Sequence, residues 1–196
     1  MKKIILFVLL FIASAMAWAG TPYPGLQVEV KRTGNLFDFT ASFQTQLSKC
    51  AAYQYLIDYE AAKDLPGMVE SIAYRESQNT VRVERTADEQ VLFFHVRLHS
   101  VMEYTEKPFE SISFKQLAGD SKAFEGNWSI KPNEQGSTLS FRGTWLPDTF
   151  IPLFIIDHFA KNGLIDRFSA IAFLAEKRKI LMSGSCGTAQ IATLVE

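Results

Sequence analysis

Signature motifs of the common catalytic classes are missing from this chain of 196 residues. It holds no glycine-rich dinucleotide loop, P-loop, His-Glu-x-x-His helix, Gly-x-Ser-x-Gly elbow or Cys-x-x-Cys pair. These absences weigh against an enzyme of those types, and no cofactor or metal is implied. An excess of either charge is lacking as well, since 20 Lys and Arg stand against 21 Asp and Glu. Without a basic surplus, nothing favours nucleic acid or an anionic membrane surface as partner. Repeats, low-complexity stretches and interdomain linkers are also absent. One domain large enough to bury a sizeable core is expected.

The start of the chain, MKKIILFVLLFIASAMAWAG, sets Lys2 and Lys3 before an apolar run from Ile4 to about Ala13, then Ala17-Trp18-Ala19. That three-part pattern predicts a secretory signal over residues 1–19, cut after Ala19. The apolar run is shorter than the roughly 20 residues a membrane span needs. No Cys follows the expected cut, which argues against a lipid-anchored form. The remaining chain carries 18 basic and 21 acidic residues, a formal charge of −3. A periplasmic location without a stable membrane anchor is expected.

The chain has two cysteines, Cys50 and Cys186. In an oxidising compartment a lone pair is more often a disulfide than two thiols. Such a bridge would restrict the unfolded chain by up to about 5 kcal/mol. A catalytic cysteine is the alternative, but no His stands near either residue.

Aromatic residues are plentiful: 16 Phe in all, 14 of them beyond residue 19. They fall in alternating segments. Leu26 to Lys31 and Leu36 to Gln46 read as strands, the second with Phe37, Phe39, Ala41 and Phe43 on one face. Ser48 caps a short helical stretch that Pro66-Gly67 ends, with Ala52, Tyr55, Leu56 and Tyr59 on its apolar face. Strands are then predicted at about Val69–Ser77, Thr80–Ala87, Val91–Thr105, Phe109–Leu117, Lys122–Lys131 and Ser137–Trp145. Their connections, among them Asp88-Glu89 and Gly119-Asp120, are short enough to imply an antiparallel meander.

The last long stretch, Asp148 to Lys179, has apolar residues at helical spacing: Leu153, Ile156, Ala160, Leu164, Phe168, Ile171 and Leu174. Asp148 or Thr149 is expected as its cap, with Pro152 in the first turn. A helix of that length, about 45 Å, needs a broad surface to cover. The expected class is α+β: a curved antiparallel sheet wrapped around a long C-terminal helix, with short helices after the opening strands. The domain is drawn at residues 20–182 and a tail at 183–196.

This order resembles the helix-grip fold of the START-like superfamily. Several pieces resemble the exported members of its polyketide cyclase/dehydrase family. The strand GNLFDFTASFQTQLS leading into YQYLIDYEAAKDLPGMVESI is similar to one family segment. Gly119-Asp120 followed by Phe124-Glu125-Gly126-Asn127-Trp128 is similar to the family hairpin, and Gln135-Gly136-Ser137-Thr138-Leu139 to its turn into the last strand. Tyr53 or Tyr55 stands where the family often has Trp. The resemblance spans about residues 26–179. It implies a protein that binds lipids, polyketides, quinones or hormones, only sometimes as a catalyst.

In the last two strands, Phe124, Trp128 and Ile130 share one face, as do Leu139, Phe141 and Trp145. With Phe94, Met102 and Tyr104 they are expected to line a cavity opposite Leu153, Ile156 and, near its mouth, His158. The alternative is a solid core, which Phe and Leu serve first. Gly126 and Gly143 lie on the same faces and leave room. Tyr104 and the Trp indoles would supply the polar handles.

His95, Arg97 and His99 alternate along one strand, with Leu92, Phe94, Val96 and Leu98 on its other face. The two histidines would sit about 13 Å apart, too far to share an ion, so an outer, solvated row is expected. Arg142 and Glu103 are expected to project outward from neighbouring strands as a surface ion pair.

The reading that follows is an exported carrier or sensor of a hydrophobic small molecule or lipid. A cyclase/aromatase-like enzyme is the alternative, and Tyr104, Asp157 and His158 are its only titratable candidates. A ligand-free envelope interaction protein is the third.

Overall fold

A computed structural model describes residues 21–91, 94–149, 151–181 and 186. The expected signal segment therefore lies outside the described residues, as does the tail apart from Cys186.

Eight strands form one antiparallel sheet in the order β1-β2-β8-β7-β6-β5-β4-β3. They are β1 (Gln27–Thr33), β2 (Leu36–Thr45), β3 (Met68–Arg75), β4 (Thr80–Val91), β5 (Phe94–Lys107), β6 (Ser111–Gly119), β7 (Ser121–Asn133) and β8 (Gly136–Pro147). Between β2 and β3 run α1 (Lys49–Ile57) and a 3-10 turn, Tyr59–Asp64, and after β8 comes α2 (Leu153–Lys177). The sheet is a meander except at one point. There β8 returns to pair with β2, which closes the N-terminal hairpin onto β3–β8. This is the expected α+β helix-grip arrangement, a curved open sheet with a long helix on its inner side.

Alternation sets which residues face inward. On β2, Phe37, Phe39, Ala41 and Phe43 are all buried, and they pair in register with Trp145, Gly143, Phe141 and Leu139 of β8. Val81 and Val83 of β4, Met102 and Tyr104 of β5, and Ile112 and Phe114 of β6 continue the same face. The outer row falls as expected: His95, Arg97 and His99 are exposed, while Val96 and Leu98 are half-buried.

Three local readings need correction. Asp88-Glu89 is strand, not turn, because β4 and β5 stay paired as far as Val91 and Phe94. Paired charges suit a ribbon that is solvated on one face, so they carried no turn information. In α1 the buried residues are Ala51, Ala52, Tyr53 and Tyr55, and Leu56 is only half-buried. The helix packs on β7 and β8 on one side and donates from Tyr55 Oη to the Ile171 carbonyl of α2 at 2.7 Å on another. Two buried sides leave no single apolar stripe. Finally, α2 begins at Leu153 rather than Asp148, with Pro152 at its N-cap. Proline suits that start, since its fixed φ and missing N–H cost nothing there, and Thr149 Oγ1 instead accepts from the Ile151 N–H at 3.0 Å.

The second half of α2 is heavily tethered. Ala172 and Ala175 are wholly buried, and Phe168 and Ser169 nearly so. Tyr23 N–H donates to Ser169 Oγ, and both Tyr23 Oη and the Gln46 N–H donate to Glu176 Oε1. Arg178 reaches Asp58 at 2.6 Å and Asp64 at 3.4 Å. Cys50 in α1 and Cys186 beyond α2 are joined by a disulfide, with Cα atoms 6.0 Å apart. The expected bridge is therefore present. No described helix is long and apolar enough to cross a membrane.

Candidate functional site

The inner face of β2, β8, β7 and β6 carries an aromatic wall. Gly143 and Gly126 are register partners, flanked by Phe39 on β2 and Phe114 on β6. A Cβ on Gly126 would come within 2.8 Å of the Phe114 ring, and one on Gly143 within 2.8 Å of the Phe141 ring and 3.1 Å of Phe39. The glycines thus let rings lie flat on the sheet, where Phe39 and Phe114 each stack against Phe141 at 5.8 and 6.0 Å between centroids. The room left by the glycines is taken by these rings at the level of the sheet.

Above this layer the packing loosens. Phe168 of α2 packs on both Phe141 and Trp128, at 5.3 and 5.8 Å between ring centroids. Phe124, Trp128 and Trp145 remain half-buried although they face inward. On the facing helix Leu153, Ile156 and Leu164 are likewise half-buried, and Phe154 is 69 % exposed. The backbone of α2 makes its closest approach to β1 and β2, at the far side of the sheet from β5 and β4. The second half of the helix carries most of the tethers, and Asp157 in the first half pairs with Arg32 of β1.

Most of the expected lining residues are brought to this inner face. Met102, Tyr104 and Phe141 are buried, and Phe124, Trp128, Trp145, Leu153 and Ile156 are half-buried against the core. Phe94 heads β5, and its side chain is outside what is described. His158 is exposed. Of the polar handles, the Trp145 indole donates to Ser121 Oγ at 2.7 Å.

The expected pair of Arg142 with Glu103 does not form. Three strand positions separate β8 from β5 in the sheet order, and Glu103 pairs with Lys115 of β6 at 2.8 Å. Arg142 instead lines a depression of about 460 Å³ with Asp38, Thr40, Glu125, Asn127 and Thr144. Phe39, Phe114, Gly126 and Gly143 line the same depression, so polar outward side chains and apolar rings meet in it.

Charged residues on the inner face went unnoticed in the sequence. Glu106 continues the inward phase of Met102 and Tyr104 on β5 and is 4 % exposed. Its carboxylate accepts from Tyr53 Oη at 3.3 Å and Tyr59 Oη at 2.8 Å, and from both Arg75 terminal nitrogens at 3.1 Å. Burial first, then the neighbouring carboxylate, pushes the Tyr53 phenol up to about 12 and raises Tyr59 further. Arg85 likewise continues the inward phase of Val81 and Val83. Its Nη1 donates to Tyr104 Oη at 2.7 Å and its Nε to Ser71 Oγ at 3.2 Å, with the guanidinium 5.4 Å from the Tyr104 ring centre. A charge in the apolar phase of a strand was the available signal for both. Among the described residues, no cluster of His, Cys, Asp and Glu is arranged to hold a metal.

Residues 46–165 match the family described as Polyketide cyclase / dehydrase and lipid transport. No curated protein matches the chain. Among solved structures, TTHA0849 of Thermus thermophilus is 15% identical, with TM-score 0.65 over 74% of this chain and 99% of that one. A STAR-related lipid transfer protein of Xanthomonas axonopodis is 14% identical, with TM-score 0.65 over 80% and 96%. The di-domain ARO/CYC StfQ of the steffimycin biosynthetic pathway is 15% identical, with TM-score 0.62 over 76% of this chain. This chain spans about half of StfQ, 52% of its length. At such identities the likeness is one of fold.

Proposed function

Because the chain belongs to the polyketide cyclase / dehydrase and lipid transport family, we propose that it holds a hydrophobic small molecule or lipid between its sheet and α2. It acts as a carrier or sensor. The observation that carries this reading is the set of half-buried rings, Phe124, Trp128 and Trp145, on the inner face of the sheet. Large apolar rings that face inward yet stay partly accessible leave surface for a ligand to cover, worth about 25 cal/mol per Å². The named neighbours include a lipid transfer protein and an aromatase/cyclase, which fits a ligand of this kind.

The cyclase reading has less support. Tyr104 is buried among Tyr59, Phe114 and Arg85. Asp157 pairs with Arg32 at the surface, and His158 is exposed. Three groups so placed do not converge on one reacting centre, whereas binding needs no such convergence. Export to the periplasm, with residues 20–182 as the working domain, completes the proposal. It fits the N-terminal pattern and the disulfide.

Native mass spectrometry of protein purified from a secreting host tests the binding reading, paired with organic extraction. A discrete apolar adduct, or saturable uptake of an added lipid by stripped protein, is expected. A bare mass together with no uptake refutes it.

A further inference from the structure

Two arginines face inward on the β3–β4 side of the sheet, and they are satisfied differently. Arg75 has its counter-ion in the buried Glu106. The described partners of Arg85 are two neutral hydroxyls, those of Ser71 and Tyr104, and no described carboxylate pairs with it. Arg82, the cation three positions earlier and on the outer face, is by contrast within reach of both Glu76 and Glu84.

The arrangement around Arg85 is held from several sides. Ser71 Oγ is committed as donor to the Tyr59 carbonyl at 2.7 Å, so it can only accept from Arg85 Nε. Tyr104 Oη accepts from Arg85 Nη1, which leaves its own proton free to be donated. Ser71 is 7 % and Tyr104 5 % exposed, and the Arg85 side chain crosses the register pair Val83 and Met102 to reach Tyr104. None of the described hydrogen bonds reaches Nη2, which shares the terminal edge of the guanidinium with Nη1. That edge is the fork that carboxylates and phosphates accept in bidentate fashion. A half-buried cation whose described partners are two hydroxyls and an aromatic ring keeps its charge available to an anion.

We infer that Arg85, with the Tyr104 hydroxyl, is the seat for an anionic headgroup, and that the ligand is an amphipath with a carboxylate or phosphate at one end. Its apolar body lies along Phe124, Trp128 and Trp145 beneath α2. The inference rests on the binding function proposed above and names the chemistry of its ligand.

The experiment compares three probes of equal chain length at neutral pH, below their aggregation limits: hexadecanoate, hexadecyl phosphate and methyl hexadecanoate. Wild-type protein binds at least one of the anions about ten- to a hundredfold more tightly than the ester, the range expected of charge-assisted hydrogen bonds. Whichever anion is preferred identifies the headgroup class. Arg85→Gln abolishes that preference and leaves ester affinity unchanged, while Arg85→Lys retains part of it. Equal affinity of ester and both anions in the wild type overturns the headgroup assignment and leaves the cavity standing. A preference that survives in Arg85→Gln overturns it too. Binding of none of the three refutes the cavity itself, and the headgroup seat with it. The wild-type comparison needs no variant, so a folding defect in Arg85→Gln does not block the test.

Discussion

Replacing Glu106 with Leu should cost about 2–5 kcal/mol of stability, and the structure explains why the penalty falls on the tyrosines. The Glu106 side chain is 3 % exposed, whereas that of Arg75 is 48 % exposed. Freed from its partner, Arg75 turns to water at small cost. Tyr53 and Tyr59, at 6 % and 5 % exposure, have no such route. Each phenol left without an acceptor costs about 1–3 kcal/mol. Glu106→Gln keeps one acceptor oxygen and should cost less, and Tyr59→Phe should cost more than Tyr53→Phe, following the 2.8 and 3.3 Å contacts. Urea unfolding of the disulfide-intact protein at neutral pH measures all four. A Glu106→Leu variant within about 0.5 kcal/mol of wild type, set against the expected range of about 2–5, refutes the reasoning.

The same cluster gives an alkaline signature. Tyr53 ionises near 10.0 when unfolded and near 12 when folded, so its contribution is complete below pH 10. It is lost as the pH rises from about 10 to 12, because the unfolded chain sheds the proton first. Glu106 supports that raised value, so the window should narrow in Glu106→Gln.

Further expectations are independent of this cluster. Gly143→Ala places a methyl 2.8 Å from the Phe141 ring and should lower stability by about 1–3 kcal/mol, checked by the unfolding midpoint. Loss of the Cys50–Cys186 bridge, which spans 136 residues, should cost up to about 5 kcal/mol, read as the difference between Cys50→Ser and wild type. Arg178→Ala frees the end of α2 from Asp58 and Asp64, and hydrogen exchange should speed up in the last turns of α2. Periplasmic extracts of a secreting host should contain a mature chain beginning at Gly20, by intact mass. A full-length chain retained in the cytoplasm contradicts export.

Much of the architecture was legible because it is written in alternation. A period of two along β2, β7 and β8 assigns the rings of Phe37, Phe39, Phe124, Trp128 and Phe141 to one face. A helical period over α2 finds Phe168, which meets Trp128 and Phe141, but its other named positions are half-buried and the wholly buried Ala172 and Ala175 fall outside it. What alternation does not carry is sheet order. The expected Arg142–Glu103 pair assumed adjacent strands, and β7 and β6 lie between them. Nor does it show how polar groups satisfy one another. Glu106 and Arg85 stand in an apolar phase, yet the partners that make this tolerable come from α1, the 3-10 turn and β3, far off in sequence. Gly126 and Gly143 were legible as space, but only the packed structure shows that Phe114, Phe39 and Phe141 occupy it at the level of the sheet.

The two tryptophans beyond residue 19, Trp128 and Trp145, both face the proposed ligand space, so energy transfer from them reports directly on its occupancy. Residues 20–196, stripped of lipid, are titrated with a neutral alkyl-dansyl amide and excited at the indoles. Saturable sensitised emission, displaced by an unlabelled apolar competitor and lost in the Trp128→Phe/Trp145→Phe double variant, is the predicted result. Emission that never saturates, or that no competitor displaces, would contradict a ligand held between sheet and helix.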